Sequence, residues 1–266
     1  KSGVGVVATQ SFVNPAYGPK GLALMEEGIP PAEALNKLIS EDDGKDYRQV
    51  AFLDTNGRAA AHTGEKCVEA ADHYVGENFS VQANMMLNDK VVPAMRKAFQ
   101  ENAVLPLAER VIKVLQAAQE AGGDIRGQQS AALIVVGPEK VENQWEENII
   151  DLRVDDHAAP LDELERLLQV ARAYEHMNRG DLSIEKGDIE KALEEYSSAM
   201  QLFPENLEMQ YWTVVALANS QRMDEALGIF KSIFKKNEHW REMTKRLPAS
   251  GLLNISEEEL EQIINE

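Results

Sequence analysis

The chain has almost no cysteine, is poor in positive charge and has no long apolar run. Cys67 is the only cysteine in 266 residues, which excludes an intramolecular disulfide and a cysteine-built zinc cluster and fits a reducing compartment. No apolar stretch approaches the roughly 20 residues of a membrane-spanning helix. Lys and Arg number 27 against 45 Asp and Glu, a formal charge of −18. An average field of that sign repels a phosphate backbone or an anionic bilayer, so neither nucleic acid nor membrane is an expected partner. A Walker loop, a dinucleotide fingerprint, a metalloprotease helix and a serine elbow are also missing. No cofactor and no metal is indicated, and a cytoplasmic protein is expected. The first residues, "KSGVGVVATQS", carry Val4, Val6 and Val7 in strand-like order. An amino-terminal piece is therefore expected to precede Lys1, and any signal peptide would lie in it.

The first 157 residues mix two periodicities. Segments 4 to 9, 49 to 54, 79 to 87, 130 to 136 and 148 to 154 are strand-like in length and β-branched content. In the last, Ile150, Leu152 and Val154 alternate with Asp151, Arg153 and Asp155, giving one buried and one wet face. Helices are predicted over 18 to 28, 31 to 40 and 91 to 101. A further one carries Leu107, Val111, Val114 and Ala118 on one stripe and stops at Gly122-Gly123. Asn56-Gly57 supplies a hairpin turn. Paired helices with grouped strands between them argue for an α+β fold in which helical layers cover stacked antiparallel sheets.

After Pro160 the pattern is helical throughout. Ala192 and Ala226 are 34 residues apart, as are Tyr196 and Phe230. Gly180, Gly187, Ala192, Tyr196, Ala199 and Pro204 stand where a tetratricopeptide unit needs small, aromatic and helix-ending residues. The spacing gives units over 173 to 206 and 207 to 240, the second with Val214 in place of the first-helix glycine and Glu238 in place of the terminal proline. Ser256 and Glu259 form a capping box for a last helix over 256 to 265. Two domains follow, 1 to 160 and 161 to 266.

Four polar clusters are candidates for chemistry. In "GGDIRGQQS", Asp124, Arg126, Gln128, Gln129 and Ser130 crowd the entry to an apolar strand. Arg126 could grip a carboxylate there, or simply pair with Asp124 on a solvated turn. In "ATQSFVNPAYG", Thr9, Gln10, Ser11 and Asn14 follow a strand and could line an oxyanion site, or hold a turn. His62 in "AAAHTG" suits a polar cleft. Cys67 close by could pair with it as nucleophile and base, or be a small apolar residue near the start of a helix. Asp155, Asp156 and His157 are adjacent, so on a strand they point to opposite faces, and a capped turn before Pro160 is favoured over a metal site.

The segments "GVGVVATQSFVNPAYGPKGLALMEEG", "RQVAFLDTNGRAAAHTG", "AGGDIRGQQSAALIVV" and "DLRVDDH" closely resemble the family catalogued as domain of unknown function 1028. The resemblance covers residues 1 to about 160. It implies kinship with the N-terminal-nucleophile (Ntn) hydrolases and their four-layer α-β-β-α sandwich. It also implies a preceding strand pair and, in the wider superfamily, a nucleophile that is the first Thr, Ser or Cys of the mature chain, with its own amine as base. Lys1 cannot serve so, and a nucleophile is expected outside this sequence. The "GGDIRGQQS" string is then expected to rim the cleft between the sheets.

Two functions compete on these grounds. One is an Ntn-type hydrolase of a small amide or peptide-like compound, with the ten polar residues named above around its pocket. The other is a non-catalytic ligand-binding or scaffolding protein whose repeats dock a partner peptide. Two repeats are too few to stand alone, so they are expected to pack on the first domain or on a second subunit, the first domain being preferred, and a homodimer would form through the sandwich or the repeats.

Overall fold

In the computed structural model, which describes residues 1–266, apolar side chains on both faces make Arg48–Asp54 (β2) a central strand. It lies between Gly5–Ser11 (β1) and Ala59–Thr63 (β3), antiparallel to each. The β2–β3 turn is held by the Asp54 carboxylate, which accepts from the amides of Asn56 and Arg58, and by Gly57 at φ +77°. One face of the sheet presents Val7, Val50 and Phe52 to two helices, Tyr17–Glu26 (α1) and Pro31–Ser40 (α2). A Cβ on Gly21 would lie 2.4 Å from the Phe52 ring, so only glycine lets α1 approach this closely.

The other face carries Gln10, Gln49 and Thr63, which are register neighbours across the three strands. It meets a second antiparallel pair, Asp72–Gly76 (β4) and Phe79–Ala83 (β5). The far side of that pair buries Phe79, Val81 and Ala83 against Val91 and Met95 of Val91–Glu101 (α3) and Val114 of Leu107–Glu120 (α4). A third pair, Ala131–Val136 (β6) and Asn148–Val154 (β7), completes a mixed α/β region of three small sheets.

Three local expectations are corrected. The strand expected over 79 to 87 ends at Ala83, because Asn84 turns away and Met85 adopts a left-handed φ of +57°. Segment 72–76, which the sequence did not single out, is a strand because it pairs with β5 through all five residues. Cys67 is not at a helix start. It lies in an irregular stretch after β3, where the amide of Cys67 bonds Gly64 O and that of Lys66 bonds Asp46 O.

The chain divides into Lys1–Glu165 and Arg166–Glu266, the boundary falling within Pro160–Glu185 (α5). The second unit is all helical: the rest of α5, then Ile189–Leu202 (α6), Leu207–Asn219 (α7), Met223–Lys236 (α8), His239–Arg246 (α9) and Glu257–Ile264 (α10). Ala192, Tyr196, Ala199, Ala226 and Phe230 are all in its core. A Cβ on Gly180 would stand 2.3 Å from the Tyr196 ring, so the small residue and the aromatic are a matched pair. Helix α9 packs on α7 through Tyr211, whose ring lies 4.5 Å from Trp240 and whose hydroxyl meets Thr244 Oγ1 at 2.9 Å. The capping box at Ser256 and Glu259 forms in both directions. No helix is long and apolar enough to cross a membrane.

The one carboxylate buried in this unit is Glu195. Burial alone would raise its pKa, but hydrogen bonds from His176, Arg179 and Lys191 outweigh that and hold it at about 2. A carboxylate held below its unfolded value stabilises the fold only while ionised. This contribution is therefore full above its ordinary value of 4.5 and disappears as pH falls towards about 2. Glu195→Gln should lower the unfolding temperature read from Trp212 and Trp240 fluorescence at neutral pH. The gap to the native chain should close as pH falls through that window; a gap unchanged with pH would show that the charge of Glu195 contributes nothing.

Candidate functional site

Gln49 is the most constrained polar residue of the first unit. It is fully buried on β2, between the two facing sheets. Its Nε2 donates towards Thr63 Oγ1 at 2.9 Å, Ala83 O at 3.0 Å and Asp72 O at 3.2 Å. Its Oε1 accepts from Asn84 Nδ2 at 3.0 Å and from the Gln10 amide. Thr63 Oγ1 in turn meets His73 Nδ1 at 2.8 Å, and burial pushes the His73 imidazole below its usual pKa. The first sheet is thus bonded to the carbonyls of the second through side chains.

Asn84 ends the second sheet at this network, and the next residues reach a distant part of the chain. Met86 bridges Asp124, the amide of Ile125 bonds Met85 O at 3.0 Å, and that of Leu87 bonds Gly123 O at 2.9 Å. Segment 123–125 is delivered there by the end of α4. Gly123 N bonds Ala118 O and Gly122 N bonds Gln119 O, the paired bonds of a Schellman motif, and both glycines have positive φ. This is why two glycines stand before Asp124.

The result is a cavity of about 530 Å³. The ends of β1 and β5 supply Gln10, Ser11 and Gln82, segment 84–86 supplies Asn84 and two methionines, and Asp124 and Arg126 close one side. Lys66 adds a second cation, 3.4 Å from Asp46 and over the Tyr47 ring. Val91, Met95 and Leu115 make the floor apolar. An amphipathic wall of this kind, apolar with a few fixed polar groups, suits a small organic ligand.

The candidate residues separate. Gln10 and Ser11 share this cavity with Asp124 and Arg126, although more than 100 positions apart in sequence. Arg126 lies on the Asp124 carboxylate through Nε at 2.9 Å and through its terminal nitrogen at 2.6 Å. That contact holds the Asp124 carboxyl below its ordinary pKa. Gln128, Gln129 and Ser130 line an adjoining cavity of about 520 Å³, which shares Asp124 and Arg126. Thr9 points the other way, in register with Val50 on the helix-facing side. Its hydroxyl is buried without a partner.

Asn14 also lies apart. Its amide meets Asp42, a carboxylate that accepts from Arg48 Nε at 2.9 Å, Gly44 N at 2.8 Å and Tyr17 Oη at 3.0 Å. The Arg48 guanidinium beside it keeps the Asp42 carboxyl well below the usual range. Arg48 also donates to Phe12 O, so this cluster anchors the chain just beyond Ser11, which itself sits at φ +71°. His62 shares the helix-facing side with Val50 and bonds Lys45 O at 3.0 Å, while the Cys67 thiol contacts Arg48 O. They make no hydrogen bond to each other. His157 Nδ1 accepts from Ala159 N, the capped turn expected before Pro160. No group of three or more metal-ligating side chains is present.

Sequence reading missed Gln49, Asn84, Gln82 and Lys66. For Gln49 the signal was available: a lone amide in "RQVAFLD" that all its neighbours mark as a buried strand. Gln49→Leu would leave several buried donors and acceptors unpaired, each costing about 1–3 kcal/mol. It is expected to destabilise the first unit by about 3 kcal/mol in urea titration. Thr9→Val removes a hydroxyl that bonds nothing, and the same measurement should give a neutral effect or a gain of up to ~1 kcal/mol. A loss of stability in the second variant would mean that Thr9 has a partner after all.

Residues 1–164 match the model of a family described as of unknown function, DUF1028, and residues 183–244 match a tetratricopeptide-repeat model. A crystal structure of a Silicibacter pomeroyi protein bearing the same DUF1028 assignment is similar at 31% identity and a TM-score of 0.56, covering 64% of this chain and 70% of that one. No curated protein matches the chain. The first match extends over more than half of the sequence, and the Silicibacter structure agrees with it: the chain belongs to the DUF1028 family and carries tetratricopeptide-like repeats behind that domain.

Proposed function

We propose that the first unit is a hydrolase of the N-terminal-nucleophile type acting on a small amide or peptide-like compound, and that the cavity between Gln10, Asn84 and Arg126 is its substrate pocket. The sandwich this requires is four-layered. In its support, α1 and α2 cover one sheet, α3 and α4 cover the facing pair, and the Gln49 network bonds the two sheets together. The observation that carries the reading is the convergence of two sequence-distant polar strings, 10–11 and 124–126, on one cavity.

Arg126 is the carboxylate-binding group, because a guanidinium offers paired donors to a planar anion. Its present partner, Asp124, holds it in position at the wall, and Lys66 is the second cation. The amides of Gln10 and Asn84 are fixed by Gln49 at the cavity wall, so a ligand meets polar groups that need not be ordered first. The repeats behind are a protein-interaction module, in units over 173 to 206 and 207 to 240, within a domain over 161 to 266.

The test is calorimetric titration of the whole chain with N-acetylated amino acids and dipeptides, followed by chromatography for released amine. Binding should weaken by about tenfold or more in Arg126→Ala, the worth of a charge-assisted contact. Unchanged binding in that variant would remove Arg126 from the site. The release assay uses the protein expressed from its native start, where the nucleophile is expected; binding without release of amine by that protein would favour a ligand-binding protein over a hydrolase.

A further inference from the structure

The two cavities that meet at Arg126 are similar in size, about 530 and 520 Å³, and Met86, Leu115, Ala118, Asp124 and Arg126 belong to both. They are contiguous, and the Asp124–Arg126 ion pair stands at their junction. Asp124 is fixed there by its bridge to Met86, whereas the Arg126 side chain is 67% exposed and held by Asp124 alone. A pair with one fixed and one exposed member divides the space without closing it.

The polar groups of the two chambers are in different states. In the first, Gln10 and Asn84 are tied to Gln49, and Gln82 Oε1 accepts from Ser80. In the second, Gln128, Gln129 and Ser130 are exposed, and their side chains make no hydrogen bond within the chain. Only the backbone there is fixed, by the bond from His157 N to Gln129 O at 2.9 Å. Asp156 lines the same chamber, and no cation pairs with it. A row of uncommitted amides and a hydroxyl, ending at an unpaired carboxylate, matches the hydrogen-bonding pattern of a peptide backbone that ends in an ammonium group.

Resting on the reading of the first chamber as a substrate pocket, we infer that the two chambers form one elongated site for a linear peptide with free termini. Its carboxylate end lies on the Arg126 side, and its amino-terminal extension lies along Gln128, Gln129 and Ser130 towards Asp156. Gln129 and Asp156 thereby determine specificity for length and for a free amine. Arg126 stands at the junction that the amino-terminal extension passes.

The probes are dialanine, tetra-alanine and N-acetyl-tetra-alanine, titrated calorimetrically into the whole chain and into the double variant Gln129→Ala, Asp156→Asn. The expected result is tetra-alanine binding about tenfold tighter than dialanine, with the gain lost on acetylation and lost in the double variant, while dialanine binds both proteins equally. Equal affinity for the two lengths, or a gain that survives in the variant, would overturn the inference and leave the first chamber's role intact. If neither peptide binds, the substrate-pocket reading falls, and this inference falls with it. Circular dichroism of the double variant separates a lost contact from a lost fold, and Asp156→Asn alone provides a second variant, in which tetra-alanine and N-acetyl-tetra-alanine should bind equally; a preference for the free amine that survives there would overturn the inference.

Discussion

A glutamine side chain offers two donor hydrogens and one oxygen with two lone pairs, and burying it without partners costs several kcal/mol. Gln49 is wholly buried and has every one of these positions occupied. Two of its partners are carbonyls of the opposite sheet, which makes the amide a direct link between sheets that apolar contact alone would allow to slide. Because side chains alternate along a strand, a one-residue slip of β2 would turn Gln49 towards the helices and bring Val50 into the polar layer. The amide therefore sets register as well as separation.

That constraint reaches the cavity through a few covalent steps. Gln49 fixes Ala83 O and Asn84, and the strand ends there. The left-handed Met85 then redirects the chain so that Met85 to Leu87 can pair with Gly123 to Ile125. On the other edge Gln49 fixes Gln10, and the Asp42–Arg48 cluster anchors Phe12 on the far side of the strained Ser11. Both walls of the cavity are thus held from behind by groups that do not line it with their own chemistry. Gln49 supports the wall from between the sheets, and Asp42 does so from the helix side.

The elements themselves were legible where periodicity and punctuation agreed. The Schellman end at Gly122-Gly123, the capping box at Ser256 and the repeat pairs at Ala192, Tyr196, Ala226 and Phe230 all follow from local chemistry, and the structure forms each. The site was legible only in part. Asp124 and Arg126 were conspicuous because their string is polar in front of a strand, and Gln10 and Ser11 because they close one. Thr9 is adjacent to them in sequence, yet alternation sends it to the opposite face. Asn14 and His62 are equally polar, and both are used by local carboxylate and carbonyl contacts. Gln49 shows in the sequence only as a lone amide in a buried strand and Asn84 not at all, since their importance lies in partners from other strands that no window along the chain contains.

The charge balance bears on which ligands this site can hold. A chain carrying −18 overall opposes the approach of any anion, but that field is screened over about 8–10 Å at physiological salt. Inside the cavity the nearest charges decide, and there each cation already has an acidic neighbour: Arg126 has Asp124, and Lys66 has Asp46. A carboxylate entering between them gains from two positive groups while meeting two negative ones, so charge alone gives little net attraction. A dianion would find still less. A compound that carries both a carboxylate and an amine is opposed less by the long-range field and meets a complementary charge at each end, with Asp156 free to take the amine. If the cavity is the substrate pocket proposed above, the acidity of the protein and the pairing of its cavity cations together favour a zwitterion over the phosphates and dicarboxylates that an arginine and a lysine would otherwise attract.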